Sequence, residues 1–279
     1  MFDKIRSNAK INLALNIVGK SKSLHKIESI IAFVDLHDEI YIKKIDEQDH
    51  KISFSGKFSK NINSRNTISK LLKILDDRNL LNKKFHIKIK KKIPTKSGLG
   101  GGSMNAASIL KYLLKKKIIK INKKEIFKIS KSIGDDVILG LYSSHLIINS
   151  KNFIKHFKGY KNFFTLIVKP NFGCSTKDIY SKVRKFEKIK FNKPVKKMID
   201  YKFLKKMHNS LESIAFSKYP KLKKIKSFLE DSTKPLFVRM TGSGSAIVAY
   251  FQSKKDCDKS MTQFRKEYKK YWCISSKTI

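Results

Sequence analysis

Apolar side chains in the first part of the chain alternate with small or polar ones. Residues 9–18 (AKINLALNIV) keep this period of two, and residues 27–34 and 39–45 read likewise as strands. Over residues 66–78 (NTISKLLKILDDR) the apolar period lengthens to that of a helix, behind an Asn-Thr start. Phe85, Ile87 and Ile89 return to strict alternation, a strand. Beyond a glycine-rich stretch, Ala106, Ala107, Leu110, Leu113 and Leu114 share a helical face. Residues 123–134 predict another helix, and 137–149 a buried strand or strand pair.

A strand, FFTLIVKP, opens the second half just after Asn162. Helical patterns follow at 175–187, 201–217 and 220–230. The runs LFVRM (236–240) and SAIVAYF (245–251) flank Thr241-Gly242-Ser243-Gly244 as two strands around a tight turn. A helix over 254–269 and a strand, YWCISS, complete the pattern. The whole reads as two α+β domains with a boundary in 155–162, taken as 1–158 and 159–279.

Composition narrows the class. A chain of 279 residues that is 41% hydrophobic buries a sizeable core. The first twenty residues show no charged n-region followed by an apolar run, so the expectation is a chain without a signal peptide. The windows 97–110, 137–150 and 240–253 lack Asp, Glu, Lys and Arg, but they are too short and polar to span a bilayer. Cys174, Cys257 and Cys273 are scattered, with no metal-ligand spacing, and imply a reduced, cytoplasmic setting.

Charge changes the picture more. Sixty-three Lys and Arg against 22 Asp and Glu give a net charge of +41, which suits nucleic acid. A nucleic-acid footprint clusters on one segment with arginine or aromatic interleaving. Here the lysines run from Lys4 to Lys277 and arginine is rare, so the expectation is a composition-wide bias and no specific nucleic-acid partner. Long-range attraction of anionic small molecules follows from the charge either way.

The uncharged window 97–110 holds the candidate chemistry. Gly98, Gly100, Gly101 and Gly102 fill four of five positions between a predicted strand and a predicted helix. Glycines let backbone approach a ligand closely, and a helix N-terminus aims free N–H groups and its positive dipole end at the loop. With Ser103 expected as N-cap, the arrangement suits a di- or triphosphate. A side chain at Gly101 is expected to fill the phosphate's space. The alternative is a glycine loop that serves packing alone. A second phosphate signal, ALNIVGKS (14–21), approaches the pattern G-x-x-x-x-G-K-[ST] without its first glycine. It continues a strand and opens no helix, so it is set aside.

Four stretches taken in order, AKINL (9–13), PTKSGLGGGSMNAA (94–107), Gly134-Asp135-Asp136-Val137 and TGSGS (241–245), resemble the motifs of the GHMP small-molecule kinases, with NSLE (209–212) between the last two. The loop GLGGGSxNAA carries one glycine more than the usual GLGSSA type. It points to the branch that acts on a cytidine diphosphate ester of methylerythritol, on the non-mevalonate route to isoprenoid precursors. The resemblance implies an α+β, two-domain fold: a mixed-sheet N-terminal domain and a ferredoxin-like C-terminal domain. It implies phosphorylation of the ester's 2-hydroxyl by ATP with Mg2+, in a monomer or weak homodimer, away from membranes. It puts Asp136 on the catalytic base and Lys10 beside it. Asn12, His25, Thr176 and Tyr180 fall on substrate positions, with His25 reading cytosine. Pro94, Gly98, Leu99, Gly100, Gly101, Gly102 and Ser103 fall on the phosphate loop, and Asn66 near the adenine. The chain differs from the pattern at Ser23-Leu24 (usually Gly-Tyr), Met104 (usually Ser) and Asp135-Asp136-Val137-Ile138 (usually Ala-Asp-Val-Pro).

Taken from their own surroundings, several of these residues keep a second reading. Asp136 suits a helix end or surface turn, His25 a surface position, and Tyr180 the core. Lys10 stands in a segment almost bare of other charge, which favours a charge aimed at something. The other functional readings are a homoserine or mevalonate type of kinase, and a basic nucleic-acid-binding protein.

Overall fold

In the computed structural model, all residues are described except Lys22, Ser23, Asn61, Ser143, Tyr160 and Lys161. Ser23 of the Ser-Leu-His stretch, and part of the expected domain boundary, therefore lie outside the described residues. The chain packs as two compact units. The first comprises Met1–Lys10, Leu36–Thr95 and Gly100–Ser143; the second comprises Ile11–Asp35, Lys96–Leu99 and Ser144–Ile279.

The first unit is built on β1 (Asp3–Ser21) and β2 (Leu24–Ile45), two long paired strands that continue into the second unit. Between them, residues 27–34 and 39–45 were expected as separate strands and form one. The polar step at residues 35–38 does not end it, because the Asp38 carboxylate is buried with hydrogen-bond donors around it. Next come β3 (Lys51–Ser55), α1 (Thr67–Asp77), β4 (Lys84–Lys90), α2 (Gly101–Lys115) and α3 (Lys123–Ile133). Strand β4 pairs antiparallel with β2 (Glu39 opposite Lys90) and parallel with β3 (Lys51 opposite His86), so the sheet is mixed.

Alternation along β4 buries Phe85, Ile87 and Ile89. With Ile40 and Ile42 of β2 they pack in one core with Leu71, Leu72 and Leu75 of α1 and Ala106, Ala107, Leu110 and Leu113 of α2. Two of the helices begin on asparagine caps. Asn66 accepts hydrogen bonds from the Ile68 and Ser69 amides while Ser69 Oγ accepts from the Asn66 amide, and Asn122 pairs likewise with Glu125. Helix α2 has no such cap. Its N-cap is Gly100 in the left-handed region (φ 68°), and the expected N-cap, Ser103, lies inside the first turn.

Of the buried strand or strand pair expected over 137–149, a single strand forms, at His145–Ile148. Residues after Asp135 close i→i+3 bonds (Val137 N to Gly134 O 3.1 Å, Gly140 N to Val137 O 3.1 Å) and run as a 3₁₀ turn, Ile138–Leu141. A Cβ at Gly140 would lie 2.5 Å from Ala107 Cβ, so this turn is packed against α2.

The second unit continues with β5 (His145–Ile148), β6 (Ile154–Phe157), β7 (Phe164–Lys169), α4 (Thr176–Ser181), α5 (Tyr201–Lys205), α6 (Glu212–Lys218) and α7 (Pro220–Thr233). It ends with β8 (Phe237–Met240), β9 (Ile247–Phe251), α8 (Lys254–Glu267) and β10 (Trp272–Lys277). Here β5 pairs antiparallel with β2 (Ile30 opposite Ile147) and with β6. The other sheet is antiparallel, in the order β10-β7-β9-β8. This is the strand order of a ferredoxin-like domain, as expected. Helices α7 and α8 cover it through Leu222, Ile225, Leu229, Cys257 and Phe264.

Two expected helices are shorter here. The first, 175–187, stops at Ser181. The second, 201–217, breaks around Asn209, whose side chain is spent elsewhere: its amide donates to Met240 O and Gly242 O, both at 2.8 Å. Strands β3 and β6 escaped the sequence reading: β3 alternates but is only five residues long, and β6 has four residues and no alternation.

The tightest polar cluster of the first unit surrounds Asp38, which accepts from the amides of Lys92 (2.7 Å) and Ile93 (2.9 Å), from Asn105 Nδ2 (3.0 Å) and from Lys91 Nζ. Asp38→Ala leaves the Lys91 ammonium buried without its counter-charge. The expected loss is about 3–5 kcal/mol of unfolding free energy in urea titrations, and less in Asp38→Ala with Lys91→Met. Equal losses in the two variants would show the ion pair to be unimportant.

Candidate active site

In the first unit the glycine loop becomes a helix start. Met104 N donates to Gly100 O at 2.8 Å and begins the helical ladder, so the amides of Gly101, Gly102 and Ser103 precede any intrahelical acceptor. These amides and the dipole of a 15-residue helix make an anion cradle. The glycines serve different neighbours. A Cβ on Gly100 would lie 2.9 Å from Lys10 Cγ, so Gly100 makes room for the lysine stem. On Gly101 it would lie 3.0 Å from Ile93 Cγ2 and 3.3 Å from Lys91 Nζ. The expectation that a Gly101 side chain would intrude on phosphate is therefore corrected: that direction leads into packed side chains. Gly102 is exposed and faces Thr67, whose hydroxyl donates to Gly102 O at 2.7 Å.

Lys10 is buried on β1, and its Nζ lies 3.4 Å from Asp136 Oδ2, on the turn after α3. The Asp136 side chain is 42% exposed, so one edge of the carboxylate is held and the rest is open. Its neighbour Asp135 diverges: it is 76% exposed and pairs with Lys131 at 3.7 Å. Pro94 is buried at the root of the loop. Asn66 is placed by α1, but its side chain is occupied: beyond its two capping bonds, Nδ2 donates to Asn63 O and Ser64 O. Asp38 and Asn105, which fix the loop root to α2, were not singled out from sequence. The asparagine that opens NAA, on a helical face otherwise made of apolar residues, was the available signal.

In the second unit the front of the glycine loop meets the TGSGS turn. Gly98 is left-handed (φ 77°), and a Cβ there would lie 2.1 Å from Thr241 O. Ala246 N donates to Ser97 O at 3.0 Å, and Thr241 Oγ1 is 3.3 Å from Gly98 O. Leu99 is fully buried. Asn12 is tied to the same turn, its amide donating to Thr241 Oγ1 at 3.0 Å and its Nδ2 to Ser29 Oγ at 2.8 Å. The NSLE stretch holds the turn's base: besides Asn209, Glu212 Oε1 accepts from the Met240 amide at 2.7 Å.

The His25 and Tyr180 rings lie together, centroids 5.4 Å apart and tilted by 50°. Loss of water around His25, and secondarily the charge of Lys20, lower its pKa, which favours the neutral imidazole with one donor and one acceptor. Leu24 beside it is 58% exposed. The Thr176 and Ser243 hydroxyls are 2.9 Å apart. The expected residues thus fall in two sets. Lys10, Asn66, Pro94, Gly100–Ser103 and Asp136 belong to the first unit, and Asn12, His25, Gly98, Leu99, Thr176 and Tyr180 to the second. The stretch ALNIVGKS is strand, with no helix after Gly19. Among the described residues no helix is long and apolar enough to cross a membrane, and no group of three or more His, Cys, Asp and Glu is placed to hold a metal ion.

A glycine-loop helix start, a buried lysine on a half-open aspartate, a mixed sheet and an antiparallel sheet of ferredoxin-like order are together features of a small-molecule kinase class. Residues 66–145 match the GHMP kinases N terminal domain and residues 201–270 the GHMP kinases C terminal domain. The chain belongs to the GHMP kinase family, and it is an ATP-dependent small-molecule kinase. It is 57% identical over 277 residues to the 4-diphosphocytidyl-2-C-methyl-D-erythritol kinase of Pelagibacter ubique, covering 99% of both chains. It is 32% identical over 286 residues to the same kinase of Clostridium tetani, covering 99% of this chain and 100% of that one. A crystal structure of 4-(cytidine 5'-diphospho)-2C-methyl-D-erythritol kinase shares the fold, with TM-score 0.80 at 21% identity over 99% and 100% of the two chains. So does the homoserine kinase of Cytophaga hutchinsonii, with TM-score 0.69 at 18% identity over 100% and 96%.

The glycines predict unequal sensitivity. Gly98→Ala forces a left-handed alanine onto a carbonyl and should cost more than about 1 kcal/mol in urea unfolding. Gly102→Ala meets only Thr67 at ordinary range and should stay within about 0.5 kcal/mol of wild type. A reversed order would show that the loop conformation is misassigned.

Proposed function

We propose that this chain transfers the γ-phosphoryl group of ATP to the 2-hydroxyl of 4-diphosphocytidyl-2-C-methyl-D-erythritol, a step of the non-mevalonate isoprenoid precursor pathway. The observation that carries the reading is full-length identity of 57% to a kinase of that name, with the Lys10–Asp136 pair formed in this chain. We assign the regions 1–158 and 159–279 to the two GHMP domains, since the two family matches fall on either side of that division. The working setting is the cytoplasm, as a monomer or weak homodimer with no specific nucleic-acid partner.

Phosphoryl transfer asks a protein for position and charge rather than covalent chemistry. Asp136 accepts the proton of the attacking hydroxyl, its open edge towards substrate and its other edge steadied by Lys10. The Lys10 ammonium also offsets negative charge that develops on the transferring group. The amides of Gly101, Gly102 and Ser103 bind phosphate oxygens, with Gly98, Leu99, Gly100 and Pro94 shaping the loop. Mg2+ arriving with ATP would supply charge neutralisation, and the Ser103 hydroxyl is an oxygen donor of the kind it takes. Asn66 acts near the adenine through the start of α1, its side chain being engaged in the cap. Asn12 and Thr176 hold the acceptor's polyol side. Neutral His25 hydrogen-bonds cytosine, and Tyr180 supplies its stacking face, with Leu24 as apolar contact.

ATP turnover against cytidylated and plain polyols, homoserine and mevalonate tests the substrate, and the cytidylated methylerythritol should be preferred. Preference for homoserine or mevalonate overturns the reading. Asp136→Asn should lower kcat by at least about 10²-fold with ATP affinity little changed, whereas Asp135→Asn should cost little. Lys10→Met should lower kcat too, and the double variant should lose less than the product of the two. An inactive Asp135→Asn beside an active Asp136→Asn would reverse the assignment of the base.

Tyr180→Ala and His25→Ala should each raise KM for the cytidyl substrate and leave KM for ATP near its starting value. The stacking part is about 1–3 kcal/mol. Equal rises for both substrates would mark the two residues as structural.

A further inference from the structure

Lys96 stands in the left-handed region, at φ 50°, inside the glycine loop. Glycine takes that conformation freely, while a residue with a Cβ pays for it. Opposite, Gly173 is bare for a reason: a Cβ there would lie 2.6 Å from Lys96 Cβ and 3.1 Å from Lys96 O. The chain thus keeps a lysine where the backbone favours glycine, and clears the facing position to seat it. Lys117 and Lys234 share this backbone state where α2 and α7 end, but Lys96 ends no helix and is the one faced by a cleared glycine, a combination that points to function.

The Lys96 side chain lines a cavity of about 430 Å³ in the second unit, together with Ser175, Thr176, Tyr219 and three glycines. No Asp or Glu is among the described residues that line it. Cys174 also borders it, and burial pushes that thiol up to about 11, so Lys96 carries the charge of the lining. One ammonium, hydroxyls and glycine backbone, without a carboxylate, make a lining for an anion rather than a cation or an apolar group. The volume is that of a small-ligand site.

We infer that Lys96 is a phosphate-reading residue, whose ammonium binds the diphosphate of the acceptor in this cavity. The inference rests on the function proposed above. Thr176, assigned there to the acceptor, lines the same cavity, which favours the acceptor's diphosphate over the phosphates of ATP.

The left-handed backbone makes the test unusual, because loss of function and loss of fold separate. Lys96→Gly removes the ammonium and relieves the backbone, so Tm should equal or exceed that of wild type. KM for the acceptor should rise roughly tenfold in both Lys96→Gly and Lys96→Gln, with KM for ATP little changed. Lys255→Gln, an exposed lysine of α8, should change neither constant. The inference falls if acceptor KM is kept in both Lys96 variants, if ATP KM moves instead, or if Lys255→Gln has the same effect, which would mean net charge alone is at work. Calorimetric titration with inorganic pyrophosphate at physiological salt tests the subsite without the acceptor. Wild type should bind, and Lys96→Gln should bind roughly tenfold more weakly. Should wild type fail to phosphorylate the cytidyl ester while this loss holds, the proposed function fails and the subsite stands. Equal pyrophosphate binding in the two proteins overturns the subsite.

Discussion

The carboxylate of Asp38 sits fully buried between the strand that leads into the glycine loop and the helix that leaves it. A lone buried carboxylate costs several kcal/mol, so it must be met by donors or be absent. Here the donors are the two amides that follow β4, the side-chain amide of Asn105 on α2, and the ammonium of Lys91. Meeting them all fixes the loop's root and the helix's second turn to a single point. The first-turn amides of α2 have no freedom left to wander, which suits the anion-binding role proposed for them: dipoles aimed in advance. The buried Lys91 beside Gly101 does not oppose the helix dipole as a free cation, because its charge is paired within the same cluster.

The bare window around the glycines has two causes that composition alone cannot separate. Leu99, Met104, Asn105, Ala106 and Ala107 are buried, so half of the window is uncharged because it is core. The stretch through Gly100, Gly101 and Gly102 is the part proposed to meet a ligand, and even there Gly100 and Gly101 make room for neighbouring side chains. The TGSGS turn repeats this division of labour in the second unit. Asn209 and Glu212 hold its base through Met240 and Gly242, and Thr241 gathers Asn12 and Gly98 around its hydroxyl. The site residues that a kinase needs are thus positioned by amides and carboxylates one step behind them.

Acidic residues are scarce in a chain of charge +41, and their placement is correspondingly telling. Asp38, Glu28 and Glu212 are buried and accept backbone amides: Glu28 from Lys190 and Phe191, Glu212 from Met240. Asp136 is the acid held by a buried lysine with an open edge. Surface pairs such as Lys73–Asp77 contribute little by comparison. A lysine excess of this size is expected to attract anionic small molecules at range, whereas the buried carboxylates hold backbone amides in place.

Local periodicity was sufficient for most of the fold. Helices α1, α2, α3 and α8, strand β4 and the hairpin around TGSGS lie where the period of 3.6 or 2 and the asparagine caps put them, because those signals are carried by residues within a few positions of one another. The glycine loop and Lys10 stood out locally, because glycine in excess and a charge out of place are visible in a short window, whereas Asp136 was singled out only through the resemblance to the GHMP kinases. What the sequence left open depends on distant partners. Asp38 meets Asn105 across 67 positions, and Asn12 meets Thr241 across 229, so neither the continuity of β2 nor the anchoring of the TGSGS turn has a local signature. The break at Asn209, the capping of α2 by Gly100 instead of Ser103, and the seating of Lys96 against Gly173 were likewise decided by where backbone carbonyls and Cβ directions fall once the chain is folded. A pattern of residue types encodes which face of an element is apolar; only the packed chain decides which atom that face meets.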